Sequence, residues 1–203
     1  MREPLYTSPI GEVNSLLRKV EISGVPPVLC LLTGSSGCGK TYLCETLAKE
    51  LDSERAAVAY FDSIGVPSEK EMKEGWGSGE KWQEAMTHEW IERISGWTDK
   101  ALVVLEGSYH PRFVLEACSK LGIEDYVLAV VSCSEEVWIR RLQGPREQPE
   151  LVTPDMRNWA RELRDRTVEL GGSIIDTSQS DVAKNVKDIG QLMKPMLQRR
   201  GAG

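Results

Sequence analysis

The sequence has 203 residues, which is enough to bury the core of one α/β domain but would leave two half-length domains with thin cores. Its hydrophobic share of 40% and charged share of 28% are ordinary for a globular protein. A net charge of −6 disfavours non-specific binding to nucleic acid, because the nucleic-acid backbone is itself negative. We therefore expect a single domain over residues 1–203, and nucleic acid is disfavoured as a partner.

The five cysteines indicate a reducing compartment. Their number is odd and their spacing fits no metal-ligand pattern, so we interpret all of them as reduced thiols. The first residues contain no apolar run of signal-peptide length, and no segment is long enough to span a membrane. We predict a cytoplasmic protein without membrane attachment, present as a monomer or a homodimer.

The chain alternates between apolar runs typical of strands and longer segments with helical spacing. Residues 1–27 are interpreted as an arm followed by a helix over 10–20 that packs on the sheet edge. Short apolar runs predict five strands, at 28–32, 56–61, 101–105, 126–131 and 173–176. Spacing and capping residues predict helices at 42–51, 80–94, 111–121, 135–142, 154–170, and from 181 beyond 192 with Ser180 as its cap. Residues 63–79 and 143–152 have no regular pattern and are predicted to be irregular.

Five apolar strands separated by helices predict an α/β domain of three α/β/α layers around a parallel sheet. Ligands in such sheets bind at the carboxyl ends of the strands. Asp62 follows the second predicted strand and Glu106-Gly107 follows the third, so both fall at that edge. The segment after the first strand reaches the same edge.

That segment has the pattern G-x-x-x-x-G-K-[ST] between an apolar strand and a helix-like run. Its glycines let consecutive backbone N–H groups point inward and form an anion nest at the start of a helix. The lysine would add positive charge for the β- and γ-phosphates of a nucleotide, and the hydroxyl would ligate Mg²⁺. A glycine-rich turn with a chance Lys-Thr pair is the alternative, but the flanking elements favour a phosphate-binding loop. The loop residues are Gly34, Ser35, Ser36, Gly37, Cys38, Gly39, Lys40 and Thr41.

Other parts of the sequence distinguish among the classes of protein that share such a loop. A GTPase would carry Asn-Lys-x-Asp after a strand, whereas Asn185-Val186-Lys187-Asp188 has the wrong order and lies within a predicted helix. A motor-type or AAA-type ATPase is normally longer, and an Asp-Glu pair ends its second nucleotide-binding strand. Here that strand ends in Glu106-Gly107, so both classes are disfavoured.

Residues 28–180 resemble the nucleoside, nucleotide, shikimate and gluconate kinase group of phosphate-loop proteins, which share the P-loop NTP hydrolase fold. The resemblance rests on four features in the expected order: the loop itself, Asp62, Glu106-Gly107, and an arginine-rich segment that begins Arg140-Arg141-Leu142 and includes Arg146.

The resemblance implies strand order 2-3-1-4-5 and the use of ATP and Mg²⁺. It also implies a helical acceptor-binding insert, placed at 63–97, and a short mobile lid, placed at 143–153. Thr177 and Ser178 resemble the loop that flanks the adenine in these kinases, so they are predicted to contact the nucleotide.

The two carboxylates at the sheet edge have candidate catalytic roles. Asp62 is predicted to bind the acceptor and to orient or deprotonate its hydroxyl, and the alternative is a turn or capping aspartate. Glu106 is predicted to hold a Mg²⁺-bound water or to assist the base, and the alternative is a cap for the next helix. Lys40 is also predicted to be catalytic. Thr41 and Glu106 are the predicted metal ligands.

Arginines and one tryptophan supply the remaining candidates. Arg141 and Arg146 are predicted to be catalytic, because a lid guanidinium can bind phosphate oxygens through two parallel hydrogen bonds. Arg112 is predicted to reach a substrate anion, with a surface arginine as the alternative. Trp76, between two glycines, is predicted to stack on the acceptor. Arg157, Arg161 and Arg164 recur at helical spacing; we interpret the first two as a solvated face and leave the third open.

These features favour an ATP-dependent kinase that phosphorylates a hydroxyl of a small molecule. One alternative is a nucleotide-binding regulatory ATPase module that acts on a protein partner. The other is a kinase for a nucleic-acid 5′ end, which would need a basic channel despite the acidic composition. The sequence of the insert does not identify the acceptor.

Overall fold

The computed structural model describes residues 8–22, 24–179 and 181–202. Five parallel strands form one sheet in the order β2-β3-β1-β4-β5. The strands are β1 Val28–Thr33, β2 Ala56–Tyr60, β3 Leu102–Glu106, β4 Tyr126–Ser132 and β5 Ser173–Asp176. The predicted fold class and strand order are thus confirmed.

Eight helices are found among the described residues. They are α1 Gly11–Leu17, α2 Lys40–Glu50, α3 Glu69–Trp76, α4 Gly79–Ser95, α5 Pro111–Lys120, α6 Glu135–Gln143, α7 Pro154–Glu169 and α8 Val182–Arg200. Short 3-10 turns occupy Phe61–Ile64 and Pro149–Leu151. Within the described ranges, no helix combines the length and the apolar character that crossing a membrane requires.

The central strand β1 explains how the core is divided between the two faces of the sheet. Successive side chains of a strand point to opposite faces. Cys30 and Leu32 accordingly pack in a cluster with α1, α2 and α8, whereas Leu29 and Leu31 pack in a second cluster with α4 and α5. Both faces are covered, which is why this strand is apolar at nearly every position.

Helix α3 lies in a region that the sequence analysis expected to be irregular. Its first turn is closed by a capping box, in which the Ser68 hydroxyl accepts from the Glu71 N–H at 3.3 Å and Glu71 Oε2 accepts from the Ser68 N–H at 2.8 Å. No residue of this helix is fully buried, and its partly buried Met72 packs against the core, which is too little to give a helical spacing of apolar residues. The missed signal was the Ser-x-x-Glu pattern itself.

The N-terminal helix α1 is shorter than predicted and packs on α8 and α2 rather than on the sheet edge. Its Asn14 amide donates to the carbonyl of Glu50 at 2.7 Å, which ties it to the end of α2. The Arg55 guanidinium donates to the Leu17 carbonyl at 3.0 and 3.1 Å and so closes its last turn. At the other end of the chain the predicted cap Ser180 lies outside the described residues, and Asp181 accepts from the Lys184 N–H at 2.9 Å.

Candidate active site

The predicted phosphate loop joins β1 to α2 as a tight turn at the carboxyl edge of the sheet. Gly37 and Gly39 have φ values of 83° and 96°, a left-handed backbone that glycine adopts without strain. Gly39 is also the N-cap of α2, so the loop amides converge at a helix N-terminus, where the helix dipole favours an anion. The geometry is that of an anion cradle.

Lys40 begins α2 and is folded back into the cradle. Its Nζ donates to the carbonyl of Ser35 at 3.0 Å and lies 3.8 Å from Glu106 Oε1. Both side chains of this ion pair are buried, with 7% of each residue exposed. A buried positive charge thus lies beside the loop amides and a carboxylate.

Glu106 ends β3, opposite Leu32 of β1. Burial raises the pKa of its carboxyl above the ordinary value, and the negative charge of Asp62 adds to this rise. The Lys40 ammonium, a hydrogen bond from the Thr41 hydroxyl and the charge of Arg146 lower the pKa but do not cancel the rise. The carboxyl therefore sits among four site residues predicted from the sequence.

Asp62 lies in the 3-10 turn that follows β2, and its side chain is exposed. The turn is held against α4, because Trp90 of that helix donates its indole N–H to the carbonyl of Phe61 at 3.0 Å. Tyr60, the last residue of β2, is the register partner of Glu106. Two neighbouring strands thus bring both carboxylates to one edge, close enough for their charges to interact.

Arg141 of α6 is bound to the loop rather than free in solvent. Its guanidinium donates to the carbonyl of Cys38 at 3.1 Å and to Thr177 at two atoms, Oγ1 at 3.0 Å and the carbonyl at 2.6 Å. The Thr177 hydroxyl donates in turn to the carbonyl of Cys38 at 2.6 Å. Arg141 therefore links three segments: α6, the phosphate loop and the end of β5.

Arg146 follows α6 in the segment predicted to be a lid. Its Nε donates to Gln148 Oε1 at 3.1 Å. The side chain is exposed, and its charge acts on Glu106. This arginine is placed to approach an anion in the cradle.

A cavity of about 540 Å³ opens beside the loop, a size suited to a small-molecule ligand. Sequence analysis identified half of its lining. Tyr42 and Leu43 were missed although they directly follow the loop, and Gln179, Val182 and Asn185 were missed because no local motif marks them. The lining residues are Gly37, Gly39, Thr41, Tyr42, Leu43, Arg141, Pro145, Arg146, Thr177, Gln179, Val182 and Asn185.

Several predicted site residues do not line this cavity; Lys40, Asp62 and Glu106 lie beside the loop, and three others lie further away. The Ser178 hydroxyl donates to Asp176 Oδ1 at 2.5 Å and accepts from the Ser134 N–H at 2.8 Å, so it links the loops after β5 and β4. Arg112 pairs with Glu80 at 3.3 Å and Glu116 at 3.5 Å on the surface of α4 and α5. Trp76 is the last residue of α3 and is 38% exposed.

A second, smaller cavity of about 210 Å³ lies on the other side of the loop, between β4 and α7. Ser35 and Cys38 of the loop form part of its wall. Arg157, Arg161 and Arg164 also line it; Arg161 and Arg164 are exposed, and Arg157 is partly buried. Arg157 is bound there to Glu135, with 2.8 Å between Nε and Oε1.

The donor set beside the loop fits Mg²⁺. This ion prefers oxygen ligands and is usually bound through one or two carboxylates together with substrate phosphates. The Thr41 hydroxyl is near enough to the Glu106 carboxyl to lower its pKa, so both oxygens lie in the same region next to the cradle. No larger side-chain cage is needed.

The parallel sheet in the order 2-3-1-4-5, with a glycine-rich loop between the central strand and the next helix, is the P-loop fold, which small-molecule kinases of known structure also have. Its likeness to solved structures confirms the resemblance inferred from the sequence at the level of the fold. The sequence itself matches no protein-family model and no curated protein.

Three solved structures illustrate the likeness. Shikimate kinase from Acinetobacter baumannii, in complex with shikimate, has a TM-score of 0.56 and 20% identity over 84% of this chain and 94% of that one. A gluconokinase from Sinorhizobium meliloti has a TM-score of 0.56 and 17% identity, covering 87% and 97% of the two chains. APS kinase from Mycobacterium tuberculosis, in complex with AMPPNP and APS, has a TM-score of 0.55 and 13% identity, covering 84% and 99%. These identities show a shared fold and leave the substrate open.

Proposed function

We propose that the protein is an ATP-dependent phosphotransferase that transfers the γ-phosphoryl group to a hydroxyl of a small molecule. The observation that carries this proposal is the buried pair of Lys40 and Glu106, 3.8 Å apart beside the loop, with the charge of Asp62 acting on the same carboxyl. Kinases position two substrates and neutralise the charge of the transferred group, and they need little covalent chemistry. A cradle for phosphates with carboxylates at its mouth meets that requirement.

The positive groups have distinct roles in this proposal. Lys40 leaves the Ser35 carbonyl and binds the β- and γ-phosphate oxygens, since its Nζ is already inside the cradle. Arg141 holds the loop and the Thr177 segment in place and presents its guanidinium to the nucleotide cavity. Arg146 is exposed on the segment after α6, and it neutralises negative charge on the transferred phosphoryl group.

The oxygens beside the cradle have separate roles. The Thr41 hydroxyl and the Glu106 carboxylate would hold Mg²⁺, which supplies positive charge to the β- and γ-phosphate oxygens when it is bound. Asp62, at the end of the neighbouring strand, accepts a hydrogen bond from the acceptor hydroxyl and orients it or removes its proton.

The acceptor is proposed to lie between the two carboxylates and the insert at 63–97, under a lid at 143–153. The second cavity adds Arg161 and Arg164 near the loop, beside an Arg157 that is already paired with Glu135, which suits an acceptor that carries a negative group. Stacking on Trp76, an anion contact from Arg112 and nucleotide contact from Ser178 stay predictions, as do the cytoplasmic location and the monomeric or dimeric state.

The test is a screen for release of ADP from MgATP with a panel of nucleosides, sugars, sugar acids and aminoglycosides. We expect one class of acceptor to stimulate turnover. Asp62→Asn should then lower acceptor-stimulated turnover at least about 100-fold, while ATP binding is kept. Asp99→Asn, an exposed aspartate in the turn before β3, is the matched control and should behave as the wild type.

Two outcomes would count against the proposal. ATP binding with no stimulation by any acceptor, together with slow hydrolysis that responds to a protein partner, would favour a regulatory module. Stimulation by an oligonucleotide with a free 5′-hydroxyl but by none of the small molecules would favour a nucleic-acid kinase. In either case the role assigned to Asp62 and the small acceptor would be wrong.

A further inference from the structure

Asn185 stands out among the polar residues of the nucleotide cavity. It lies in the first turn of α8, where its backbone N–H donates to the Asp181 carbonyl at 3.2 Å. Only 5% of the residue is exposed, and it lines the 540 Å³ cavity. A polar side chain is thus buried at the wall of a proposed ligand site.

The side-chain amide of Asn185 has no hydrogen-bond partner in the part of the chain that the structure describes. Its buried neighbours in the site do have partners: Thr177 donates to the Cys38 carbonyl and Lys40 donates to the Ser35 carbonyl. The amide atoms of Asn185 are not among the side-chain atoms that are fully buried without a partner, so they remain accessible from the cavity that the residue lines. The amide is therefore available to a ligand in the cavity.

The rest of the lining indicates which part of a nucleotide would meet this amide. The phosphates belong at the loop, beside Gly39 and Thr41, so the base must occupy another part of the same cavity. Tyr42 presents an aromatic ring that is 65% exposed, and Val182 adds an apolar side chain. A flat base can pack on such walls while its edge meets Asn185.

The chemistry of the amide favours adenine. An asparagine side chain offers one acceptor and a donor side by side, which match the amino group and the adjacent ring nitrogen of adenine. Guanine presents neighbouring donors at N1 and N2, which a carboxylate accepts best. None of the described residues that line this cavity is an aspartate or glutamate.

We infer that Asn185 is the residue that reads the nucleotide base and that it selects adenine over guanine. This inference rests on the proposed function, since it requires the nucleotide to bind in this cavity. Asn185 is a specificity residue that contacts the base, and it takes no part in the transfer of the phosphoryl group.

The experiment measures the dissociation constants of ATP and GTP directly, by competition with a fluorescent ADP analogue, so that no acceptor is needed. We expect the wild type to bind ATP roughly 10- to 100-fold more tightly than GTP. Asn185→Leu removes both hydrogen bonds and should weaken ATP binding roughly tenfold while GTP changes little. Asn185→Asp presents acceptors only and should lower the ATP preference or reverse it towards GTP.

Inorganic tripolyphosphate has no base, so it tests phosphate binding at the loop separately from base recognition by Asn185. It should compete equally well with the analogue in the wild type and in both Asn185 variants, which also shows that the variants are folded. Gln191→Glu makes the same change from amide to carboxylate at an exposed position of α8 and should leave the ATP to GTP ratio unchanged. An ATP to GTP ratio that is the same in all variants would overturn the role of Asn185 but leave the phosphate site standing. Failure of both ATP and tripolyphosphate to bind the wild type would overturn the proposed function itself.

Discussion

At the scale of single residues, the surroundings of Glu106 shift the pKa of its carboxyl in two opposing directions. Its burial and the charge of Asp62 raise its pKa, whereas Lys40, Thr41 and Arg146 lower it. The net direction is upward, so the loss of hydration outweighs the ion pair at 3.8 Å. The ionised form of this carboxyl is therefore held at a cost to the stability of the fold.

Replacing Glu106 by glutamine should remove a pH-dependent loss of stability, and it also leaves the buried Lys40 ammonium without its carboxylate partner. A raised folded-state pKa means that the folded state binds more protons than the unfolded state between 4.5 and that pKa, so stability falls as pH rises through this window. Glu106→Gln cannot ionise and escapes this loss. In thermal unfolding, the Tm of the variant relative to that of the wild type should therefore rise between about pH 4.5 and pH 7.5.

An exposed glutamate of α4 provides the control. Glu92→Gln changes the same chemical group on the surface and should show no such pH-dependent gain. If Glu106→Gln were instead less stable at neutral pH than at acid pH relative to the wild type, the ion pair with Lys40 would outweigh the burial of the carboxyl.

Individual elements depend on side chains that join or cap them. The capping box of α3 is the clearest case, because this helix buries none of its own residues. The hydrogen bonds from Ser68 that close the box also lower the pKa of the Glu71 carboxyl. Local capping thus does for this helix what apolar packing does for the others.

Ser68→Ala should open α3 without unfolding the protein. Loss of an N-cap hydroxyl costs about 1 kcal/mol, and here the loss falls on an element that contributes little to the core. Hydrogen exchange should therefore become about fivefold faster for the amides of α3, while amides in β1 keep their rates. Ser53→Ala, an exposed serine before β2, should change neither. Equal exchange in α3 of the wild type and the Ser68 variant would contradict the role given to the cap.

Arg141 joins three elements and should be sensitive even to a conservative change. Arg141→Lys keeps the charge but loses the planar pair of donors that reaches both Cys38 and Thr177. We expect a loss of about 1–3 kcal/mol in the free energy of unfolding, together with weaker ATP binding. Arg140→Lys, at the exposed neighbouring position of α6, is the matched control for denaturant unfolding and for nucleotide titration. Unchanged stability and affinity in the Arg141 variant would show that the three bonds do not hold the loop.

The order of the strands places the site at the scale of the whole molecule. Leu32 of β1 and Tyr60 of β2 are both register partners of Glu106, so the three strand ends lie side by side. The loop after β1, the carboxylate ending β3 and the turn after β2 therefore meet although they are far apart in sequence.

Nucleotide should stabilise the molecule as a whole. A ligand at about 100 times its dissociation constant adds about 2.7 kcal/mol, which corresponds to a rise of about 5–10 °C in Tm for a chain of this size. MgATP should produce this rise in the wild type and in Lys49→Met, an exposed lysine of α2. Lys40→Met, which removes the charge inside the cradle, should show a much smaller rise in the same thermal scans. An equal rise in both variants would mean that the nucleotide binds elsewhere.

The strands, most helices and the phosphate loop could be predicted because each has a local signal. β5 has the predicted bounds of 173–176, and the loop is recognisable from its glycines, lysine and threonine. The short span of α1 and the presence of α3 were not predicted, since the first depends on the capping of its end by Arg55 and the second on a capping box without an apolar stripe. Local patterns therefore predicted where the helices and strands lie better than they predicted the residues at which each one begins and ends.

The sequence by itself determined the layered α/β architecture and the anion cradle, because the apolar period of each strand and the glycines of the loop act through neighbouring residues. Only the tertiary structure decided that Arg141 is bound to Cys38 and Thr177 and that three arginines of α7 border a cavity. It also decided that Asn185 lines the larger cavity beside the loop. These contacts join residues more than 30 positions apart, and the distance between such residues is set by how the helices pack on the sheet rather than by any local pattern.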